Sequence, residues 1–334
     1  MTIALALLAG VIAYLIAYAL IRHADRLRLI DEPNARSSHQ KRTPRGGGAG
    51  IFAAGLLVGA WLAWRYAWPT GAYVLALSSV IAVIGFLDDL YSLTARSRLA
   101  VQIGCCGLLI LAMMPVQIWP SAVEWLGLAL LLVLGVWWIN LFNFMDGIDA
   151  IAATQGIFML GAATILSLLN APEAASNPAW IWMVSLLAAI VGFLLLNWPP
   201  AKIFMGDVGS TYVAFMILAF AVFSVGQGWL YPSTWAILGA LFFTDATITL
   251  LTRIARGERW HAAHRSHAYQ RLSRRWQGHR PVVAFAVAFN VLWILPLALL
   301  SIYWDKFESL FILLAYAPVV VGVVRVGGGR PDAA

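Results

Sequence analysis

Six aspartates, Asp88, Asp89, Asp146, Asp149, Asp207 and Asp245, each stand at the edge of a long apolar run. An ionised side chain at membrane depth costs roughly 2.5–3.5 kcal/mol on insertion scales, so six such positions demand a use. Carboxylates gathered on one face can hold a hard divalent cation. Mg²⁺ takes oxygen ligands, commonly one or two carboxylates, and completes its shell with waters and substrate phosphates. Held in that way it neutralises charge on a transferring phosphoryl group. The plainer alternative is capping, in which an Asp at a helix start accepts orphan N–H groups. That alternative competes more strongly at Asp245 than at Asp88 and Asp89.

Four further groupings have spacing that could do chemistry. In Asn143-Phe144-Met145-Asp146-Gly147-Ile148-Asp149 two carboxylates lie three apart. They share a face if the segment is helical, and line a loop if Gly147 breaks the helix. Asn143 adds an amide that both donates and accepts. In Asn197–Ser210, Pro199-Pro200 ends a span, Lys202 offers a point charge for phosphate, and Phe204 offers a face on which a base can stack. Gly206 and Gly209 let backbone approach a ligand there.

The stretch 22–48 joins Asp31-Glu32-Pro33-Asn34-Ala35-Arg36-Ser37-Ser38-His39 to Thr43-Pro44-Arg45-Gly46-Gly47-Gly48. Hydroxyl and basic side chains with a glycine run can cradle phosphates, although no Walker motif is present. The stretch 253–281 holds His261, His264 and His267 at spacing three. Zinc is disfavoured, with no Cys and no His-Glu-x-x-His nearby. A basic amphipathic helix on the membrane surface competes with the favoured reading, an anion site at His264, Arg265 and His267.

The elements that must position these groups are transmembrane helices. The chain is 62% hydrophobic and 11% charged, with mean hydropathy +0.82, so the class is all-α and polytopic. Eleven spans are expected, at 1–21, 49–67, 70–87, 99–115, 121–142, 150–170, 179–197, 208–226, 234–252, 282–303 and 308–325. With alternating connections, one side collects twenty of the twenty-two Lys and Arg. The other holds Arg65 and Lys306. The positive-inside rule makes the basic side cytoplasmic, with the N-terminus outside and the C-terminus inside. The first run has Arg22 after it and no basic residue before it, the reverse of a secretory signal, so a retained span is expected. The net charge of +7 is confined to loops that this rule loads anyway, which argues against nucleic acid as a partner. Adjacent Cys105 and Cys106, inside a span, read as small core residues. Residues 1–334 read as a single domain, with loops 22–48, 88–98, 143–149, 198–207 and 253–281 forming the active site.

Taken in order, six strings resemble the polyprenyl-phosphate N-acetylhexosamine-1-phosphate transferase family. They are Asp-x-Pro-Asn-x-Arg-Ser-Ser-His at 31–39, Thr-Pro-Arg-Gly-Gly-Gly at 43–48, Gly-Phe-Leu-Asp-Asp at 85–89, Asn-x-x-Asp-Gly-x-Asp at 143–149, Phe-Met-Gly-Asp-x-Gly-Ser at 204–210 and His-Arg-Ser-His at 264–267. The resemblance implies transfer of a sugar 1-phosphate from a UDP-N-acetylhexosamine to undecaprenyl phosphate, releasing UMP. It implies Mg²⁺ as cofactor, with Mn²⁺ as a substitute, and a bacterial inner membrane with the active site on its cytoplasmic face. A homodimer is left open.

By the same resemblance Asp149 and Asp207 are the metal ligands. Asp88, Asp89 and Asp146 are catalytic, the first two orienting or deprotonating the lipid phosphate. Asn143, Asn197 and Phe204 form the nucleoside pocket. His264 and Arg265 meet the diphosphate, and Arg36 and His39 approach the sugar nucleotide; His267 and Lys202 remain substrate-binding candidates on the residue chemistry above. Ser266 replaces a histidine that many relatives carry, and no lysine closely follows Asp88-Asp89, where Arg96 or Arg98 must serve. Both departures lean toward the O-antigen-initiating branch and sugars such as N-acetylfucosamine, N-acetylquinovosamine or N-acetylglucosamine. The rival reading is a cation-coupled transporter, since intramembrane carboxylates also mark ion paths.

Overall fold

The computed structural model describes residues 1–32, 42–113, 121–258 and 264–331. It is an all-α bundle. Its long helices are α1 (Thr2–Leu27), α2 (Gly48–Arg65), α3 (Pro69–Tyr91), α4 (Ala95–Met113), α5 (Ala122–Met145), α6 (Ile151–Asn170), α7 (Pro178–Asn197) and α8 (Gly206–Gly226). After α8 come α9 (Pro232–Leu238), α10 (Ala240–Ala255), the short α11 (Ala268–Arg275), then α12 (His279–Phe289), α13 (Leu295–Tyr303) and α14 (Glu308–Val326). Among the described residues ten stretches are long and apolar enough to cross a membrane, and the bent pair α9–α10 makes eleven if counted as one span. The protein is therefore a multi-pass membrane protein.

Local chemistry sets the helix ends. Ser121 and Glu124 form a reciprocal capping box at the start of α5. Asn177 caps α7, with Pro178 at its first position. Gly327, at φ 85°, closes α14 in the left-handed conformation that glycine adopts without strain. The helices overrun two expected edges. α1 continues to Leu27, and α3 continues to Tyr91, so Asp88 and Asp89 ride on its last turn rather than in a loop.

The expected ninth span is broken: α9 and α10 meet at Gly239 with a 69° bend. Inside lipid a break strands backbone groups that must find partners. Here Gln155, 2% exposed, donates to the Leu238 carbonyl at 3.1 Å, and Asn290 donates to Gln155 at 2.7 Å. Asn290 itself opens a π-helical turn, Asn290–Ile294, between α12 and α13.

The most deeply buried span is α8, whose residues Val208–Phe220 are all buried. Small residues let neighbours approach its start. A Cβ on Gly48 would lie 2.1 Å from the Gly209 Cα, so α2 and α8 touch backbone to backbone. The segment before α2 is sewn to the segment before α8. Phe204 donates to Pro44 O at 2.8 Å, Gly47 to Phe204 O at 2.9 Å and Gly48 to Met205 O at 2.8 Å. A two-residue antiparallel pair, β1 (Ile30–Asp31) with β2 (Thr43–Pro44), closes the base of this loop. The expected phosphate cradle in the glycine run is thereby corrected at Gly47 and Gly48, whose amides are spent on carbonyls.

Candidate active site

The ends of α3, α5 and α7, the turn before α6, the starts of α8 and α12 and the short α11 surround one cavity of about 250 Å³. Asp31 and Arg45 reach it from the first loop, Asp89 from α3, and Asn143, Asp146, Gly147, Ile148 and Asp149 from the α5–α6 turn. Asn197 and Phe204–Asp207 reach it from the α7–α8 segment, and Gln270 and His279 from the segment after α10. Residues from all five loops marked in the sequence thus line one space. Five carboxylates do so: Asp31, Asp89, Asp146, Asp149 and Asp207.

Each carboxylate is held differently. Asp89, 4% exposed, accepts the N–H groups of Asp207 and Val208, both at 3.1 Å. It is the N-terminal cap of α8, while Arg45 donates to its carbonyl. Each of its side-chain oxygens accepts one of these amides, which gives it a positioning role beside the one expected at the lipid phosphate. Gly206 makes room for this cap, as a Cβ there would lie 2.6 Å from Asp89 Oδ2 and its φ of 74° suits glycine. Asp88 takes the Leu93 N–H at 2.6 Å on Oδ1 and Arg98 at 2.6 Å on Oδ2.

Arg98 also donates to Asp207 Oδ2 at 2.9 Å, so one guanidinium nitrogen bridges two acids. Asn143 donates to Asp207 Oδ1 and to Ser210 Oγ, each at 2.9 Å. Asp149, 8% exposed, accepts from Ala201 N at 3.0 Å, and His279 Nδ1 lies 3.2 Å from it. Asn197, 3% exposed, accepts from Ala150 N and donates to Ile203 O, both at 2.9 Å. It ties the two acidic segments together, and its side-chain groups face backbone as well as the cavity.

Asp146 differs from the rest. Among the described residues no hydrogen-bond donor reaches its carboxyl. Burial, then the charges of Asp207, Asp89 and Asp149, push that carboxyl well above the usual carboxylate range. No set of three or more His, Cys, Asp or Glu side chains stands preassembled for a metal among the described residues. Mg²⁺ does not need one, because it keeps waters and shares substrate oxygens. An undonated carboxyl beside three other acids fits a hard cation, so Asp146 joins Asp149 and Asp207 as a candidate holder.

The segment after α10 departs most from expectation. His264, Arg265 and His267 are not among the cavity-lining residues, and Gln270 and His279 take their place. Burial, followed by the neighbouring charges of His267 and Arg253, pushes the His264 imidazole down to about 3, leaving it neutral near pH 7 and a poor anion site. Its ring packs on His267 at 4.9 Å between centroids. His267 opens α11, 4% exposed, with Nδ1 3.5 Å from Asp245. Arg265 is exposed.

Asp245, inside the broken span, accepts the N–H groups of Ala268 and Tyr269, both at 2.9 Å. Capping is its observed use, exercised on a helix far along the chain. Tyr269 then donates to Phe144 O at 2.9 Å, docking α11 on the acidic turn. Lys202 is exposed and does not line the cavity. Arg36 and His39 lie outside the described residues.

No role is expected from the sequence for His279 or Gln270, and Tyr269 belongs to the surface-helix alternative as a ring dipping into lipid. Of the first two, only His279 leaves a trace, as a titratable residue opening an apolar run directly after Gly278.

Residues 72–225 match the family model described as glycosyl transferase family 4. That region contains the Asp88-Asp89, Asn143–Asp149 and Phe204–Ser210 strings. The chain is 27% identical over 323 residues to a Bacillus subtilis protein named a probable undecaprenyl-phosphate N-acetylglucosaminyl 1-phosphate transferase, covering 90% of this chain and 86% of the relative. It is 28% identical over 360 residues to the decaprenyl-phosphate N-acetylglucosaminephosphotransferase of Mycobacterium tuberculosis, covering 96% and 87%. It is 26% identical over 276 residues to the undecaprenyl-phosphate alpha-N-acetylglucosaminyl 1-phosphate transferase of Escherichia coli K12, covering 75% and 71%. The match over residues 72–225, with relatives of this kind along most of the chain, supports a place for it in the polyprenyl-phosphate N-acetylhexosamine-1-phosphate transferase family, within glycosyl transferase family 4.

Proposed function

We propose that this protein transfers an N-acetylhexosamine 1-phosphate from a UDP-sugar to undecaprenyl phosphate, releasing UMP and a lipid-linked sugar diphosphate. The observation that carries the reading is the single cavity where five carboxylates and Phe204 meet at helix ends. The rival transporter reading gains nothing from the relatives, all three of which are named as transferases. The cavity end faces the cytoplasm in this proposal, as the basic loops that build it require. The product starts O-antigen or a related envelope glycan.

In the reaction an oxygen of the acceptor phosphate attacks the sugar-bearing phosphorus of the donor. A P–O bond forms, the bond to the UMP oxygen breaks, and UMP leaves with the electron pair. A phosphate dianion is already a competent nucleophile, so no covalent enzyme species is needed. Both reactants are anionic, and a divalent cation bound at Asp207 with Asp146 or Asp149 would supply the countercharge that lets them approach.

The chain supplies the rest. Asp89 fixes the start of α8 and with it the position of Asp207. Asn143 and Arg98 orient the Asp207 carboxylate. Asn197 holds the Asp149 turn against the Phe204 segment. Phe204, partly exposed to the cavity, offers its ring to uracil.

The test is purified protein with undecaprenyl phosphate, a panel of UDP-N-acetylhexosamines, and Mg²⁺ added or chelated. The expected result is UMP release only with acceptor and metal together, and its loss in a folded Asp207→Asn variant. Full activity of that variant, or UMP release without acceptor, overturns the reading. The panel also separates gluco from galacto donors, on which the proposed O-antigen branch depends.

A further inference from the structure

We infer that Arg98 is a placeholder cation, holding Asp88 and Asp207 together until a divalent ion takes Asp207, and then receiving the phosphate of the lipid acceptor. The inference rests on the transfer reaction proposed above. Its grounds are three features of the site.

First, a single atom does the bridging. Arg98 Nη1 lies 2.6 Å from Asp88 Oδ2 and 2.9 Å from Asp207 Oδ2. Two carboxylates this close repel unless a cation lies between them. A guanidinium carries five N–H donors in a planar fork, so the remaining donors are available to a phosphate.

Second, the bridge is built to come apart. Asp89 and Asp149 are held by backbone amides, which cannot leave. Asp207 is held by two side chains, Arg98 and Asn143, and the Arg98 side chain is 32% exposed. A divalent cation held by Asp207 would make the Arg98 charge there redundant.

Third, the arginine stands where a lipid-borne phosphate would arrive. Arg98 sits in the first turn of α4, and the next exposed apolar side chains on that helix are Leu99 and Ile103, 40% and 44% exposed. A head group at Arg98 can keep its isoprenoid tail on that apolar flank. A sugar nucleotide has no such tail and gains nothing from it.

The experiment uses the full-length protein in detergent, with Mn²⁺ as the spectroscopic ion. Free Mn²⁺ is counted by electron paramagnetic resonance without substrates, and KM is measured separately for UDP-sugar and polyprenyl phosphate. A partly exposed ion pair is worth up to about 1 kcal/mol, so Arg98→Gln should bind Mn²⁺ about fivefold more tightly than wild type. Loss of a charge-assisted contact should raise the acceptor KM by about tenfold, while the donor KM stays within about twofold.

Equal or weaker Mn²⁺ binding in Arg98→Gln overturns the placeholder role, and an unmoved acceptor KM overturns the release step. If that variant is not monodisperse, Arg98→Lys carries the same test. Its shorter side chain brings the charge less close to Asp207 and lacks the planar fork that offers further donors to a phosphate, so both quantities should move in the same directions, and unchanged values overturn the inference. Absence of Mn²⁺ binding by wild type overturns the inference together with the cation requirement. Failure of wild type to release UMP despite binding Mn²⁺ strikes the transfer reading instead.

Discussion

Asp89 on the last turn of α3 accepts the backbone N–H of Asp207 at the start of α8, at 3.1 Å. A residue expected to touch substrate thus sets the place of another that is expected to hold metal. Asp89→Ala removes an N-cap and leaves two amides unpaired near the cavity. Capping losses run to about 2 kcal/mol, so the variant should unfold at a lower temperature than wild type and lose transfer activity. Asp89→Asn keeps an acceptor and should retain more of both. Thermal unfolding in detergent beside UMP release checks this. A variant as stable as wild type but inactive would point to a direct role of Asp89 in the chemistry.

How much of this was legible in the sequence follows from the range of each interaction. Apolar runs and basic loops are local, and they located the spans and the segments that line the cavity. Capping by a distant residue is not local. Asp89 serves amides more than a hundred residues away, and Asp245 serves α11 from inside another span. Neither leaves a capping spacing to read. The face of α11 turned to the cavity depends on that same tertiary cap, so Gln270 was invisible while the histidine string beside it drew attention. The Gly239 break likewise depends on Gln155 and Asn290, donors on other helices, for its partner.

Phe204 is partly exposed on the cavity wall beside the acidic turn, with its backbone pinned to Pro44 and Gly47. Such a ring can stack on a base, worth about 1–3 kcal/mol. Phe204→Ala should therefore weaken UDP-sugar binding by about tenfold or more, with little change for polyprenyl phosphate. Separate calorimetric titrations decide it. A larger loss for the lipid would move the nucleobase to another wall.

Asp245 accepts two amides at the start of α11 and is 4% exposed. Removing it should loosen α11 and with it the Tyr269–Phe144 tie and the position of Gln270. For Asp245→Ala, a cap worth about 1–2 kcal/mol predicts roughly tenfold faster amide exchange across 268–275. Asp245→Asn should fall between. Because Asp245 does not line the cavity, the effect on transfer should come through positioning, as a raised donor KM. Unchanged exchange in that helix with lost activity would argue for a direct role instead.

His264 supplies a pH dependence whose sign can be worked out. Burial leads, and His267 and Arg253 add to it, in lowering its imidazole to about 3 from an ordinary value of 6.5, while Asp245 pulls the other way. Between those values the unfolded segment binds a proton that the folded one refuses. Stability of the 264–275 region should thus be full above about pH 6.5 and fall progressively as pH drops toward 3. Hydrogen exchange across this region, corrected for intrinsic rates, should show protection falling on acidification. His264→Gln, which cannot take up the proton, should flatten that slope. A slope as steep in the variant as in wild type would assign the acid sensitivity to another group.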